Sequence, residues 1–263
     1  MRKNVLREIL NQGKPSFSTH IHATWPSIIE AIGHTGLYDY VEFVAEYGPY
    51  DLHDLDNMAR AAELFNMGMM IKVDWEQNRF TTQRAIGSGF GSVLFADVRT
   101  RADAEFCVQS VKPDTPEDGG SYGVATRRHT YMGYGGGTEY VDALRQTVVV
   151  FMIEKKASID NLEEILSVPG LDMIQWGGAD FSMSIGKAGQ RSLPEVQAAE
   201  KRVIETALRL GVQPRAEIGT PEQAKRYLDM GVKHFSIGTD IQILYSWLKE
   251  NGQALQDIVR ATA

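Results

Sequence analysis

The chain is poor in the features that mark several large protein classes. Among its 263 residues there is one cysteine, Cys107, so no intrachain disulfide can form and a reducing compartment is expected. No apolar run approaches the roughly 20 residues that span a bilayer, which argues against a membrane protein. There is no basic excess: the formal net charge is −7, which disfavours binding to nucleic-acid phosphates. The opening segment, MRKNVLREIL, is basic and amphipathic but lacks a signal-peptide core and a small-residue cleavage site. No GxGxxG follows the first apolar run, so the usual dinucleotide-binding signature is missing. The expectation is a single cytoplasmic globular domain over residues 1–263, long enough to bury a large core without staples.

What is present is a rhythm. Eight β-rich runs occur: SFSTHIH (16–22), YVEFVAE (40–46), MMIKVD (69–74), SVLFAD (92–97), TVVVFMIE (147–154), LDMIQW (171–176), QPRAEI (213–218) and HFSIGT (234–239). Between most of them lie stretches with apolar residues at three- and four-residue spacing, as helices require. Ser158 or Asp160 is placed to cap the helix before NLEEIL. Thr220-Pro221 starts another, and Gly211 and Gly231 end two. Alternating strands and helices imply a parallel sheet with helices outside. Eight units in this length favour an α/β fold of the (β/α)₈ TIM-barrel type over an open doubly wound sheet.

Two segments depart from the rhythm. Residues 113–138 carry seven glycines and the pair Arg127-Arg128. A loop of that length is usually functional, and read as following strand four it belongs at the active-site face. The tail, ILYSWLKENGQALQDIVRATA, reads as an extra C-terminal helix that closes the barrel or packs on a neighbouring subunit.

Barrels of this type carry their chemistry at the C-terminal ends of the strands. Acids stand at or near most of those tips: Glu46, Asp74, Asp97, Glu154, Asp180, Glu217 and Asp240. Strands are depleted in acids, so an acidic mouth points to a divalent cation. The sharpest pair is Glu154, ending an apolar strand, and Asp180, in the glycine turn W-G-G-A-D-F off the next. Two hard oxygen ligands suit Mg²⁺ or Mn²⁺, with Co²⁺ or Zn²⁺ as further candidates. The competing reading pairs Glu154 with Lys155 or Lys156 at the rim.

At these residues the sequence resembles a known family. F-M-I-E-K-K-A-S-I-D-N-L-E-E-I-L, P-G-L-D-M-I-Q-W-G-G-A-D-F-S-M-S-I-G, L-P-E-V-Q-A-A-E and A-K-R-Y-L-D-M-G-V-K-H-F-S-I-G-T-D are similar to the metal-dependent class II pyruvate aldolases of the HpcH/HpaI family. G-L-Y-D-Y-V-E-F-V-A-E-Y-G-P-Y-D resembles that family's second strand and following loop. The resemblance implies Glu154 and Asp180 as metal ligands and an oxo-acid substrate whose carboxylate meets the amides of Gly178, Ala179 and Asp180. It implies a pyruvate-type enolate held on the metal, and places Thr126 where a small hydroxyl residue assists. Glu46 is counted among the substrate contacts. It also implies a homo-oligomer built from dimers, in some relatives a hexamer.

The departures are specific. The family's histidine after the second strand is Tyr47 here, its arginine after the third strand is Lys72, and its histidine-orienting aspartate falls near Gly87 or Ser88. Lys72 keeps a positive charge without bidentate geometry. Tyr47 can move a proton if its pKa is lowered. His20 and His22 share one face of the first strand, and His22 lies nearer the tip. His53, Arg127 and Arg128 are weaker candidates, Trp75 and Trp176 read as packing, and Cys107 as buried and inert. The expected activity is a carbon–carbon lyase on a hydroxy-2-oxo acid. The alternatives are a decarboxylase, hydrolase or other lyase with the same metal-held enolate, or a binding protein that has lost catalysis.

Overall fold

The computed structural model describes residues 3–76, 78–124 and 136–262. Eight strands run parallel in chain order: β1 (Ser16–Ile21), β2 (Tyr40–Val44), β3 (Gly68–Val73), β4 (Ser92–Phe95), β5 (Val148–Ile153), β6 (Met173–Trp176), β7 (Gln213–Ile218) and β8 (His234–Thr239). Each pairs with the next, and β8 closes on β1 with Ser16 opposite His234. The result is a closed α/β barrel of the TIM type.

Strand alternation divides the side chains into two cores. Val41, Phe43, Ile71, Val93, Phe151 and Ile174 face outward into the main apolar cluster beneath the helices. Met70, Leu94, Val148, Val150 and Met173 form a second cluster with Tyr40 and Leu6. Every residue of β5 is buried, which is why it reads as an unbroken apolar run.

The helices outside the barrel include α2 (Pro26–His34), α3 (Leu52–Leu64), α4 (Asn78–Ser88), α5 (Arg101–Val111), α9 (Gly178–Ser184), α10 (Pro194–Arg209) and α11 (Ala224–Asp229). Gly211 and Gly231 stand at φ +80° and +90°, the left-handed geometry that ends α10 and α11.

Several expectations are corrected. The helix over NLEEIL is two short helices, α7 (Lys156–Asp160) and α8 (Leu162–Leu166), and neither Ser158 nor Asp160 caps it. The Ser158 hydroxyl instead donates to the Val98 carbonyl at 2.6 Å. A helix not foreseen, α1 (Val5–Asn11), sits against the second cluster through Leu6 and is tied there by Arg7, which reaches both Asp172 oxygens at 2.6 Å.

The glycine-rich segment follows α5, not β4, so it leaves from the end of the barrel opposite the strand tips. Its described parts pack low on the barrel: the Tyr122 hydroxyl donates to the Gln83 carbonyl at 2.8 Å, and Arg145 holds Asp118 at 2.9 Å. It ends in a further helix, α6 (Thr138–Arg145). Thr126, Arg127 and Arg128 lie outside the described residues.

The tail forms α12 (Asp240–Thr262), and none of its residues is buried. It therefore does not seal its own barrel. Among the described residues no helix is long and apolar enough to cross a membrane.

Candidate active site

β5 and β6 are neighbours, with Ile153 opposite Trp176. Their registry brings Glu154, just past β5, beside the Gly177-Gly178 turn that opens α9. The turn must be glycine here. A Cβ on Gly177 would stand 2.5 Å from the Glu154 Cβ and 2.7 Å from its Oε2, and one on Gly178 would meet the Trp176 indole nitrogen at 2.8 Å. Trp176 packs on Phe181, ring centroids 4.9 Å apart. Asp180 lies in the first turn of α9, two residues beyond Gly178, and Ala179 precedes it.

Glu154 is buried, and its Oε1 accepts the Asp97 amide at 3.0 Å. Burial raises its pKa to about 7, against the pull of Lys72, the Asp97 amide and Lys155, with Asp180 adding to the rise. A buried carboxyl short of positive compensation, with a glycine clearing space at one oxygen, fits a hard divalent cation. Among the described residues no group of three or more His, Cys, Asp or Glu is arranged to hold an ion.

Two residues join this site that sequence reasoning did not assign. The Lys155 ammonium lies 2.8 Å from Asp180 Oδ1 and 2.9 Å from Asp97 Oδ1. Asp97 adopts φ +58°, a left-handed conformation uncommon outside glycine. The rim pairing of Glu154 with Lys155 or Lys156 is not formed: Lys156 pairs with Asp160 at 2.6 Å. Asp97 was visible as a strand-tip acid, but nothing in its spacing named a partner.

Across the mouth, the Lys72 ammonium pairs with Glu46 Oε2 at 2.5 Å. Burial alone would lower the Lys72 pKa, but Glu46 outweighs it and drives the value well above the usual range, so the side chain stays charged. The Tyr47 ring lies 5.0 Å from that ammonium. Its phenol pKa is raised: burial raises it, Lys72 opposes, and Glu46 and Asp180 add to the rise. The lowered pKa that a phenolate shuttle needs is therefore not found at Tyr47.

His20 and His22 do share a face, with ring centroids 6.3 Å apart, and His22 is 6.4 Å from the Tyr47 ring. His20 is buried against Thr239 and lies 3.7 Å from Glu217. His22 is half-buried, and its amide donates to Asp240 at 3.0 Å. Beneath them lies a polar network that sequence reasoning missed. Arg215 pairs with Glu42 at 2.5 Å, donates to Ser18 at 3.1 Å and contacts Gln175, which in turn donates to Glu217 at 3.1 Å. The only signal was charge in mid-strand at Glu42 and Arg215.

His53 is exposed in the first turn of α3. Cys107 is buried, and burial pushes its thiol pKa up, so it is inert as a nucleophile. Trp75 lies 6.4 Å from the Phe106 ring and helps line an open cavity of about 730 Å³ between the β3–α4 loop and α5, which shares no residue with the acidic mouth.

Residues 18–246 match the family model for HpcH/HpaI aldolase/citrate lyase. The chain is 25% identical over 259 residues to the hydroxypyruvate/pyruvate aldolase of Paraburkholderia phytofirmans, covering 97% of each. It is 24% identical over 243 residues to a 4-hydroxy-2-oxo-heptane-1,7-dioate aldolase of Escherichia coli, covering 92% of this chain and 91% of that one. A crystal structure of an HpcH/HpaI aldolase/citrate lyase family protein from Burkholderia cenocepacia superposes with a TM-score of 0.85 at 26% identity, covering 97% of this chain and 99% of the other.

Proposed function

The chain belongs to the HpcH/HpaI aldolase/citrate lyase family, and from that premise we propose that it is a divalent-metal-dependent carbon–carbon lyase acting on a hydroxy-2-oxo acid. The observation that carries this reading is the buried Glu154 carboxyl beside Gly177, one strand from Asp180. Relatives described as aldolases across nearly the whole chain support the reaction class.

Glu154 and Asp180 would hold the ion; their all-oxygen chemistry favours Mg²⁺ or Mn²⁺ over Co²⁺ or Zn²⁺. Such an ion supplies electrophilic polarisation of the substrate ketone. The protein's own groups do the rest. The amides of Gly178 and Ala179 bind the substrate carboxylate. Lys72, held charged by Glu46, faces negative charge that develops as the bond breaks. The substrate hydroxyl loses a proton, the carbon–carbon bond breaks to release an aldehyde, and the pyruvate-type fragment is protonated at carbon. His22 or His20 moves the proton, and Tyr47 orients it through a neutral hydroxyl. Glu46 remains a proposed substrate contact, and Thr126, whose segment leaves from the far end of the barrel, is proposed as one only at the site of a neighbouring copy in the oligomer.

A second reading keeps the ion and the enolate but changes the bond broken, as in a decarboxylase or hydrolase. The observation favouring it is Tyr47, with its raised pKa, where the family's proton-transferring histidine stands. Screening several 4-hydroxy-2-oxo acids for pyruvate plus aldehyde separates the two: release of both supports the lyase, and carbon dioxide or an acid product supports the alternative. The reading includes a cytoplasmic homo-oligomer built through α12.

A further inference from the structure

The sector between β4 and β6 holds three carboxylates, Asp97, Glu154 and Asp180, and the Lys155 ammonium contacts the first and the last of them. Lys155 follows Glu154 directly, and its side chain is 18% exposed. It spans two elements, touching Asp180 Oδ1 on α9 at 2.8 Å and Asp97 Oδ1 past β4 at 2.9 Å. Lys72, the other lysine facing Glu154, is already paired with Glu46. Asp97 makes two attachments within this sector: its amide holds Glu154 Oε1, and its carboxylate Oδ1 holds Lys155, with the more exposed Arg99 guanidinium 3.6 Å from the same oxygen. The left-handed backbone at φ +58° is the conformation in which it makes both. Such backbone persists where surrounding contacts over-determine it.

We propose that Lys155 is a tethered counter-cation of the metal site. Its ammonium neutralises Asp180 while no ion is bound, and a divalent cation must displace it from Asp180 Oδ1 to bind. Asp97 is the partner that retains the displaced ammonium. Both are positioning residues that set metal affinity, and neither is a ligand. The proposal rests on the metal reading above. It differs from it in a consequence: removing a positive side chain should tighten the site, because the ion no longer competes with a cation already in place.

The test measures Mn²⁺ binding to the purified full chain by calorimetry and by the paramagnetic resonance signal of free Mn²⁺, with no substrate present. The expected result is that K155M and K155Q bind Mn²⁺ about tenfold tighter than the parent, or more. Lys156→Met, at the neighbouring lysine paired with Asp160, should change little. D97N should weaken binding in the parent and weaken it at least about threefold less in the K155M background, because its effect passes through Lys155. Mn²⁺ should also raise the melting temperature of K155M more than that of the parent. Binding that E154Q abolishes but both Lys155 variants leave unchanged or weaker overturns this proposal alone. Equal D97N losses in both backgrounds overturn the part assigned to Asp97. A chain that binds no Mn²⁺ in any form overturns the metal reading and this proposal with it.

Discussion

The Asp97 amide donates to Glu154 Oε1 at 3.0 Å, joining the tips of β4 and β5 through a carboxyl that is almost fully buried. That bond fixes one oxygen of Glu154 and leaves Oε2 beside Gly177. The geometry makes the glycine testable. Gly177→Ala places a methyl 2.7 Å from Oε2, so the carboxyl must move. Mn²⁺ affinity should fall at least about tenfold, with a stability loss of about 1–3 kcal/mol typical of overpacking. Calorimetry and urea denaturation on the same samples check both numbers.

The Arg215–Glu42 pair makes a second prediction. Both side chains are at most 2% exposed. Arg215→Ala strands a buried carboxylate and should cost about 3–5 kcal/mol. The double replacement Arg215→Met with Glu42→Leu should recover most of that loss, since no uncompensated charge remains. Urea denaturation of the single and double variants decides it.

His234 at the foot of β8 predicts a pH dependence. Burial lowers its pKa to about 4, helped by Lys233 and Arg215, while its Nδ1 lies 2.9 Å from the Ser16 hydroxyl. The unfolded chain, with an ordinary histidine pKa near 6.5, binds this proton more readily than the fold does. Stability is therefore retained above about pH 6.5 and lost as pH falls toward 4, by up to about 3 kcal/mol. His234→Gln should flatten that part of the curve. A variant with the parent's slope between pH 4 and 6.5 would exclude His234 as its source.

Much of the barrel was legible because each strand is a short β-rich run and most of the longer helices carry a three-to-four repeat. β7 and β8 match their sequence runs to the residue. The errors share a cause. α1 is seven residues long and is held by Leu6 and Arg7 against distant strands, which no local pattern records. Asn161, at φ −104° and ψ 18°, breaks what spacing reads as one helix. In the site, Glu154 and Asp180 stood out because strand tips and glycine turns are local. The pairing of Lys155 with Asp97 and Asp180, and the Arg215 network, escaped because the partners lie on elements far apart in sequence.

The exposed apolar face of α12 predicts association. Leu244, Trp247, Leu248, Leu255, Ile258 and Val259 are each more than half exposed in the single chain. A patch of this kind marks an interface. Light scattering at micromolar concentration should give a dimer or a multiple of it, and Trp247→Asp with Leu248→Asp should shift the mass toward monomer. A monomeric parent would contradict the proposed assembly.

Dependence of catalysis on a divalent ion held by Glu154 and Asp180 is tested by pyruvate release from 4-hydroxy-2-oxo acids by the parent chain and Glu154→Ala, each with Mn²⁺ and with chelator. Turnover is expected only for the parent with metal, with a loss of at least about a hundredfold in the other three conditions. Undiminished turnover by Glu154→Ala in the presence of chelator would contradict it.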